Sequence, residues 1–89
     1  MAEKLTLDVE IVDHAGTVWA GIGRYVVAPA VEGPVGIYPR HQPMLALLAE
    51  GEMKVELEDG SLVKATVSGG FLSVDSDLVT VVTDEGALI

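Results

Sequence analysis

The chain has 89 residues, no cysteine and a formal charge of −9, from 14 acidic and 5 basic residues. This length supports one domain with one small core, and the absence of cysteine excludes disulfides and thiolate metal sites. The first 20 residues hold acids and no long apolar run, so they predict neither a signal peptide nor a membrane span. The acidity disfavours direct binding to nucleic acid or to an anionic membrane. We therefore expect a cytosolic chain with a single domain over residues 1–89.

The first predicted element is a strand over residues 5–11, where apolar side chains alternate with polar ones. Period-two alternation is typical of a strand with one wet face. Residues 13–16 are expected to form the turn that follows it. Parts of residues 21–28 are apolar at successive positions, which favours a strand that is covered on both faces.

The second half of the chain continues the same pattern. Residues 44–49 lie between a proline and a glycine, which favours an extended segment over a helical turn. Residues 53–57 alternate again, and Asp59-Gly60 supplies the positive φ of a tight hairpin before residues 62–67. Residues 78–82 are apolar on both faces, as expected for a strand between a second sheet and a partner or loop. Together these elements predict an all-β chain, a two-layer antiparallel β-sandwich of about 8 to 10 short strands.

Several motifs favour structural roles over chemistry. Gly69-Gly70 lacks the lysine and the helix of a phosphate loop, so we expect a bulge or a close backbone approach there. Ser68 is not in a nucleophile elbow, and the two histidines have no metal-ligand spacing. We therefore expect no catalytic residue, no metal and no cofactor. Trp19 and Phe71 are expected to fill the core.

One loop favours function instead. From residue 33 to residue 49 the only formal charge is Arg40. Pro39 and Pro43 restrict the backbone in advance, so a partner that grips this loop meets little ordering cost. A surface turn would explain the prolines but not the apolar run of residues 44–48. We therefore predict a protein interface that consists of Glu32, Gly33, Val35, Gly36, Arg40, His41, Gln42, Pro43 and Met44.

Two strings carry a resemblance to a known family. Residues 32–48 read EGPVGIYPRHQPMLALL, and residues 67–74 read VSGGFLSV. With residues 7–12 and 26–29, they make the chain similar to the N-terminal domain of the epsilon subunit of F-type ATP synthases. In that family an E-G-x-x-G-I-x-P-x-H-x-P-x-L-x-x-L string precedes V-S-G-G-F/I-L-x-V. The resemblance covers nearly the whole chain.

The resemblance implies a function that rests on protein contacts. In this family the domain is a non-catalytic, flattened β-sandwich that clasps the gamma subunit and rests on the cytoplasmic loops of the rotor ring. It fastens shaft to ring, so that proton transport drives ATP synthesis at the cytoplasmic face of the plasma membrane. On this likeness residues 32–44 would meet the ring loops, and one face of the sandwich would be buried against gamma.

Two departures from the family pattern bear on function. Most members have Gly where this chain has Arg40, and two explanations stay open: the added charge pairs with an acidic ring loop, or it is merely tolerated there. The family usually continues into a two-helix hairpin, whereas this sequence stops at Ile89. Hydrolysis inhibition and ATP binding therefore do not carry over, and the apolar last residues favour a longer parent chain.

Two other classes of protein compete with this interpretation. A sugar-binding or small-ligand β-sandwich would gather Trp19, Tyr25, Tyr38 and His41 on one concave surface. An enzyme would need a carboxylate within hydrogen-bond reach of His41 in a cleft.

Overall fold

The structure is a computed structural model that describes residues 5–89. Over this range no helix has the length and hydropathy needed to cross a membrane. The described residues form ten strands. These are β1 (Leu7–Asp13), β2 (Gly16–Gly23), β3 (Tyr25–Ala30), β4 (Gly33–Ile37), β5 (Met44–Leu47), β6 (Gly51–Glu56), β7 (Leu62–Val67), β8 (Phe71–Asp75), β9 (Leu78–Val82) and β10 (Gly86–Leu88).

The strands form two sheets of five. Sheet 1 has the order β2-β1-β9-β8-β5, and sheet 2 has the order β10-β7-β6-β3-β4. Neighbouring strands are antiparallel, except that β1 and β9 run parallel. The predicted all-β sandwich is confirmed, and so is the extended conformation of residues 44–47.

The core lies between the sheets because alternate strand residues point inward. Met53 and Val55 are fully buried, as their alternation with lysine and glutamate predicted. Leu5 precedes β1 and is 53% exposed, so the buried part of the first alternating segment begins at Leu7. The buried apolar residues are Leu7, Val9, Ile11, Val26, Ala28, Ile37, Leu48, Met53, Val55, Ala65, Val67, Leu72, Val74, Val79 and Val81.

The chain passes from one sheet to the other after β2, β4, β5, β7 and β9. Residues 21–28 are therefore not one strand covered on both faces. They are divided at Arg24, whose backbone N–H donates to the Glu56 carbonyl at 2.8 Å and brings the chain into sheet 2. The apolar positions on either side of Arg24 belong to different sheets, and each sheet has one inner face.

The passage into β8 depends on two glycines. Gly69 and Gly70 have φ of 69° and 95°, and a Cβ added to Gly70 would lie 1.9 Å from the carbonyl oxygen of Val82. The predicted close backbone approach is confirmed. The buried Thr83 hydroxyl closes the same junction, because it accepts from the Ser68 N–H at 2.9 Å and donates to the Gly69 carbonyl at 2.8 Å.

The expectation for Phe71 is wrong. Phe71 is 39% exposed and lies on the outer face of sheet 1, because Leu72 and Val74 occupy the inward positions of β8. Trp19 is half-buried and packs against the core, as expected. In the connection between β6 and β7, Gly60 has the predicted positive φ of 89°. The predicted tight hairpin is confirmed, since Leu57 N–H donates to the Ser61 carbonyl at 2.8 Å and Gly60 N–H donates to the Leu57 carbonyl at 3.0 Å, which leaves a loop of residues 58–60.

Candidate protein interface

The predicted interface residues lie at both ends of β4. Glu32 lies in the turn between β3 and β4, Gly33 begins β4, and residues 40–43 belong to the loop between β4 and β5. Because β4 has five residues, its ends are separated by about 17 Å. The predicted interface residues, which are continuous in the sequence, are thus divided between the two ends of β4. A single small loop of a partner would not contact both ends.

Three of the predicted residues have local packing roles. Val35 and Met44 are half-buried and pack against the core. Gly36 is exposed on the outer face of sheet 2, where a Cβ would come within 2.7 Å of the Tyr25 hydroxyl. A side chain at position 36 would therefore have to displace the Tyr25 ring on the neighbouring strand.

The loop between β4 and β5 is fastened to sheet 1. Arg40 has φ of 67°, in the left-handed region, which explains why the family pattern favours glycine there. Its backbone N–H donates to the Asp77 carboxylate. Asp77 belongs to the turn between β8 and β9, where it and Ser76 both have positive φ, and its carbonyl accepts from the Asp8 N–H at 2.8 Å.

The surroundings of His41 do not resemble an acid–base site. His41 is half-buried, and its Nδ1 lies 2.7 Å from the Gln42 carbonyl oxygen. Within residues 5–89 no carboxylate is hydrogen-bonded to its ring. The same described range contains no group of three His, Asp or Glu side chains arranged for a metal ion.

Two of the four aromatic or histidine residues expected for a sugar site lie together. The rings of Tyr25 and Tyr38 are stacked, with centroids 4.3 Å apart and planes inclined by 26°. Burial, followed by the nearby Tyr38, raises the pKa of Tyr25. A surface cavity of about 490 Å³ beside them is lined by Leu5, Arg24, Tyr25, Tyr38, Pro39 and Glu56. Trp19 belongs to the other sheet, and His41 does not line this cavity.

The outer face of sheet 1 is a feature that the sequence analysis did not assign. Leu45 and Leu47 are 72% and 68% exposed, although they belong to a strand. The register places Leu47 beside Phe71, Phe71 beside Val82, and Val82 beside Val12. With strands spaced about 4.8 Å apart, these side chains form a continuous apolar line about 14 Å long. We call Val12, Val82, Phe71, Leu47 and Leu45 the apolar strip.

The apolar strip extends around the edge of sheet 1 toward Glu32. Val31 is 63% exposed, and its N–H donates to the Leu47 carbonyl at 2.8 Å. A groove of about 340 Å³ lies here, lined by residues 30–32 and 44–47. The turn between β3 and β4 therefore borders the same exposed apolar surface, and a signal for it existed in the alternating leucines of residues 44–48.

A small β-sandwich with one exposed apolar face is typical of a domain that binds other proteins through that face. Residues 6–88 match the family described as ATP synthase, Delta/Epsilon chain, beta-sandwich domain. The chain belongs to this family, and the resemblance to the N-terminal domain of the epsilon subunit is confirmed.

Individual relatives agree with this assignment. The ATP synthase epsilon chain of Micrococcus luteus is 44% identical over 82 residues, which cover 92% of this chain and 90% of that one. The epsilon chain of Delftia acidovorans is 35% identical over 79 residues, which cover 89% of this chain and 57% of that one. The chain thus spans nearly all of the first relative and somewhat more than half of the second.

Two solved assemblies contain chains with the same fold. A chain of the Euglena gracilis mitochondrial ATP synthase, solved as OSCP/F1/c-ring, superposes with a TM-score of 0.89 at 21% identity. The superposition covers 99% of this chain and 56% of the Euglena chain. A chain of the Tetrahymena thermophila central stalk and c-ring gives 0.72 at 15% identity, covering 96% of this chain and 68% of its own length. At these identities the likeness is one of fold.

Proposed function

We propose that the chain is a non-catalytic central-stalk subunit of a rotary ATP synthase. It joins the gamma subunit to the cytoplasmic loops of the rotor ring, and so couples proton transport to ATP synthesis at the cytoplasmic face of a bacterial plasma membrane. Family membership supports this role. The observation that carries it is the apolar strip on sheet 1.

Gamma is the partner proposed for the apolar strip. Leu45, Leu47 and Phe71 together expose large apolar side chains on one face of sheet 1. Full burial of one such side chain stabilises by about 1.5–3 kcal/mol, and a few buried anchors account for most of the affinity of a typical interface. Such a cluster is enough to hold a subunit onto a shaft.

Stiffness is the second property that a coupling subunit needs. The two sheets share one core, and the chain passes between them repeatedly. The loop between β4 and β5 is fixed through the bond from Arg40 N–H to the Asp77 carboxylate. A force applied at this loop is therefore carried directly into sheet 1.

The rotor ring is proposed to meet one end of β4. Arg40 is exposed at one end and Glu32 at the other, so the two ends have opposite charge. If Arg40 pairs with an acidic ring loop, Arg40→Glu weakens ring attachment at low ionic strength, and salt reduces the difference. Glu32→Lys is the matched change at the other end. Whichever variant loses attachment identifies the end that faces the ring, and unchanged attachment of both would reject a charged ring contact.

Co-purification with gamma from the same source tests the main proposal. We expect the unmodified chain to associate with gamma. Leu47→Asp should abolish the association, because it places a charge in the centre of the apolar strip. Leu62→Asp is the matched control, since Leu62 is 51% exposed on the outer face of sheet 2. Its association with gamma should be unchanged.

The same experiment has clear negative outcomes. Equal binding by both variants would remove the apolar strip as the gamma surface. Absence of binding by the unmodified chain, under conditions where a full-length epsilon subunit binds, would leave a fold without this function.

A further inference from the structure

An acidic row borders the apolar strip on the outer face of sheet 1. Asp8 and Glu10 point outward from β1 and are exposed. The register places Glu10 beside Thr80, and Asp8 beside Leu78. Along β1, Glu10 is two residues from Val12 of the apolar strip, which is about 7 Å. Asp75, opposite Leu78 on the next strand, completes what we call the acidic row: Asp8, Glu10 and Asp75.

The strands of sheet 1 supply no positive charge to balance this row. The strands β1, β2, β5, β8 and β9 contain neither Lys nor Arg. Of the four basic side chains in residues 5–89, Arg24 pairs with Glu56 of sheet 2 at 2.8 Å, Lys54 and Lys64 lie on β6 and β7 of sheet 2, and Arg40 lies in the loop between β4 and β5. In that described range no base forms an ion pair with Asp8 or Glu10.

A partner that covers the apolar strip must also meet the acidic row. Carboxylates covered without a counter-charge lose hydration and gain nothing in return, which is costly. At the border of an interface, complementary charges raise the association rate and fix the orientation of the partner. A line of acids beside an apolar line therefore specifies the chemistry and the direction of the surface that fits it.

We infer that the surface of the partner that docks on sheet 1 consists of an apolar ridge flanked by lysine or arginine side chains, which face Asp8 and Glu10. This inference rests on the proposed function and names gamma as the occupant. It adds that the contact is oriented by charge: the basic side chains lie over Asp8 and Glu10 of β1, and the apolar ridge follows the apolar strip from Val12 and Val82 across β8 to β5.

Charge reversal at Glu10 tests the inference. The binding of gamma to Glu10→Lys is measured by surface plasmon resonance at about 20 mM and about 0.5 M salt, where the Debye length changes several-fold. We expect a loss of affinity of about tenfold or more at low salt, chiefly in the association rate, and a smaller loss at high salt. Glu10→Gln should give a weaker loss in the same direction.

Glu52→Lys is the matched control. Glu52 is exposed on β6 of sheet 2, and its reversal changes the net charge by the same amount. Its affinity for gamma should stay within about twofold of the unmodified chain, since it lies on the face that gamma does not cover. Urea unfolding of all variants confirms that each is folded. A carbodiimide should also join Glu10 to a gamma lysine in the unmodified complex.

The outcomes separate the inference from the proposed function. If Leu47→Asp abolishes binding while Glu10→Lys binds like Glu52→Lys, gamma docks on the apolar strip. The inference that basic side chains of gamma face Asp8 and Glu10 is then refuted. If the unmodified chain does not bind gamma, both the proposed function and the inference are overturned. Loss of binding by Glu10→Lys and Glu52→Lys to the same extent also overturns the inference, because the effect would then come from net charge alone.

Discussion

The two sheets have equivalent inner faces and different outer faces. Both inner faces consist of small and medium aliphatic residues packed into one core. On the outer face of sheet 1, exposed leucines and Phe71 lie beside acids without any base. On the outer face of sheet 2, lysines and glutamates are interspersed. The alternation of polar and apolar residues therefore specifies the sandwich, whereas the composition of the outward positions distinguishes the two sheets and is the reason to propose sheet 1 as the partner face.

Sheet 2 shows how a solvent-facing sheet tolerates charge. Lys54 lies directly opposite Lys64, an arrangement that is unfavourable when isolated. Glu52 and Glu56 occupy the diagonal positions around Lys64, which offsets the repulsion. No such balance exists among the strands of sheet 1, and this is the reason to seek its counter-charges on another protein.

The largest predicted effect tests whether the two sheets unfold as one unit. Gly70→Ala places a Cβ 1.9 Å from the Val82 carbonyl oxygen, at a φ of 95°. Positive φ costs a non-glycine residue roughly 1–2 kcal/mol, and overpacking adds roughly 1–3 kcal/mol. We expect a loss of about 4 kcal/mol in the free energy of unfolding, measured by urea denaturation with Trp19 fluorescence for sheet 1 and circular dichroism for both sheets.

Gly69→Ala provides the control for this junction. Its φ of 69° is similar, but the nearest atom is the side-chain Oδ2 of Asp84 at 3.2 Å, which has room to move. We expect roughly 1–2 kcal/mol of destabilisation from the backbone conformation alone. If the fluorescence transition of Gly70→Ala separates from the circular dichroism transition, the sheets are not one cooperative unit and the stiffness proposed for the coupling role is lost.

Local patterns in the sequence predicted most of the strands but not the candidate interface. The strands around Val9 and Val55 follow from alternation, which is a property of neighbouring residues. The apolar strip joins Val12, Leu47, Phe71 and Val82, which are far apart in the chain and become neighbours only through the register. The expectation that Phe71 fills the core is wrong for the same reason. Phe71 and Leu72 are adjacent and both apolar, so only the position of the opposite sheet decides which of them points inward.

The interface motif shows the opposite case. Glu32 and Arg40 are close in sequence, but the intervening β4 separates them by about 17 Å. The positive φ of Arg40 also could not be predicted from the residues of this chain, because no local sequence pattern indicates an arginine in the left-handed region. The glycine of the family pattern was the only indication of it.

A second, smaller effect concerns the loop that leads from sheet 2 to sheet 1. Arg40 has a positive φ, whereas Gln42 in the same loop is not among the residues with positive φ. Glycine relieves the backbone cost at position 40 but only adds unfolded-state entropy at position 42. Arg40→Gly is therefore expected to be about 1 kcal/mol more stable than Gln42→Gly in urea denaturation.

Equal stabilities of the two glycine variants would contradict this account. Contacts of the Arg40 side chain would then compensate for its backbone conformation. In that case the departure from the family pattern stabilises the crossing between the sheets as well as adding a charge.

The smallest predicted effect lies where the chain leaves sheet 1 for β10. Asp13 Oδ2 accepts from the Gly86 N–H at 3.0 Å, and His14 Nδ1 lies 2.8 Å from the Asp84 carbonyl oxygen. The bond from Gly86, followed by that from Ala15, lowers the pKa of Asp13. The bond to Asp84, followed by the charge of Asp13, raises the pKa of His14. The turn between β1 and β2 is thus linked to the last crossing by two groups whose pKa values are shifted in opposite directions.

The sign of the pH dependence follows from these shifts. A raised pKa means that the contribution of His14 is complete below the ordinary value of 6.5 and is lost as pH rises through the folded value. The contribution of Asp13 is present above 3.8 and is lost as pH falls through its lowered value. Thermal unfolding between about pH 5 and about pH 8 should show the unmodified chain losing stability relative to His14→Gln as pH rises. His14→Gln keeps an N–H donor for the Asp84 carbonyl but does not titrate, so a constant difference between the two chains would mean that protonation of His14 does not hold this end of sheet 1 to sheet 2.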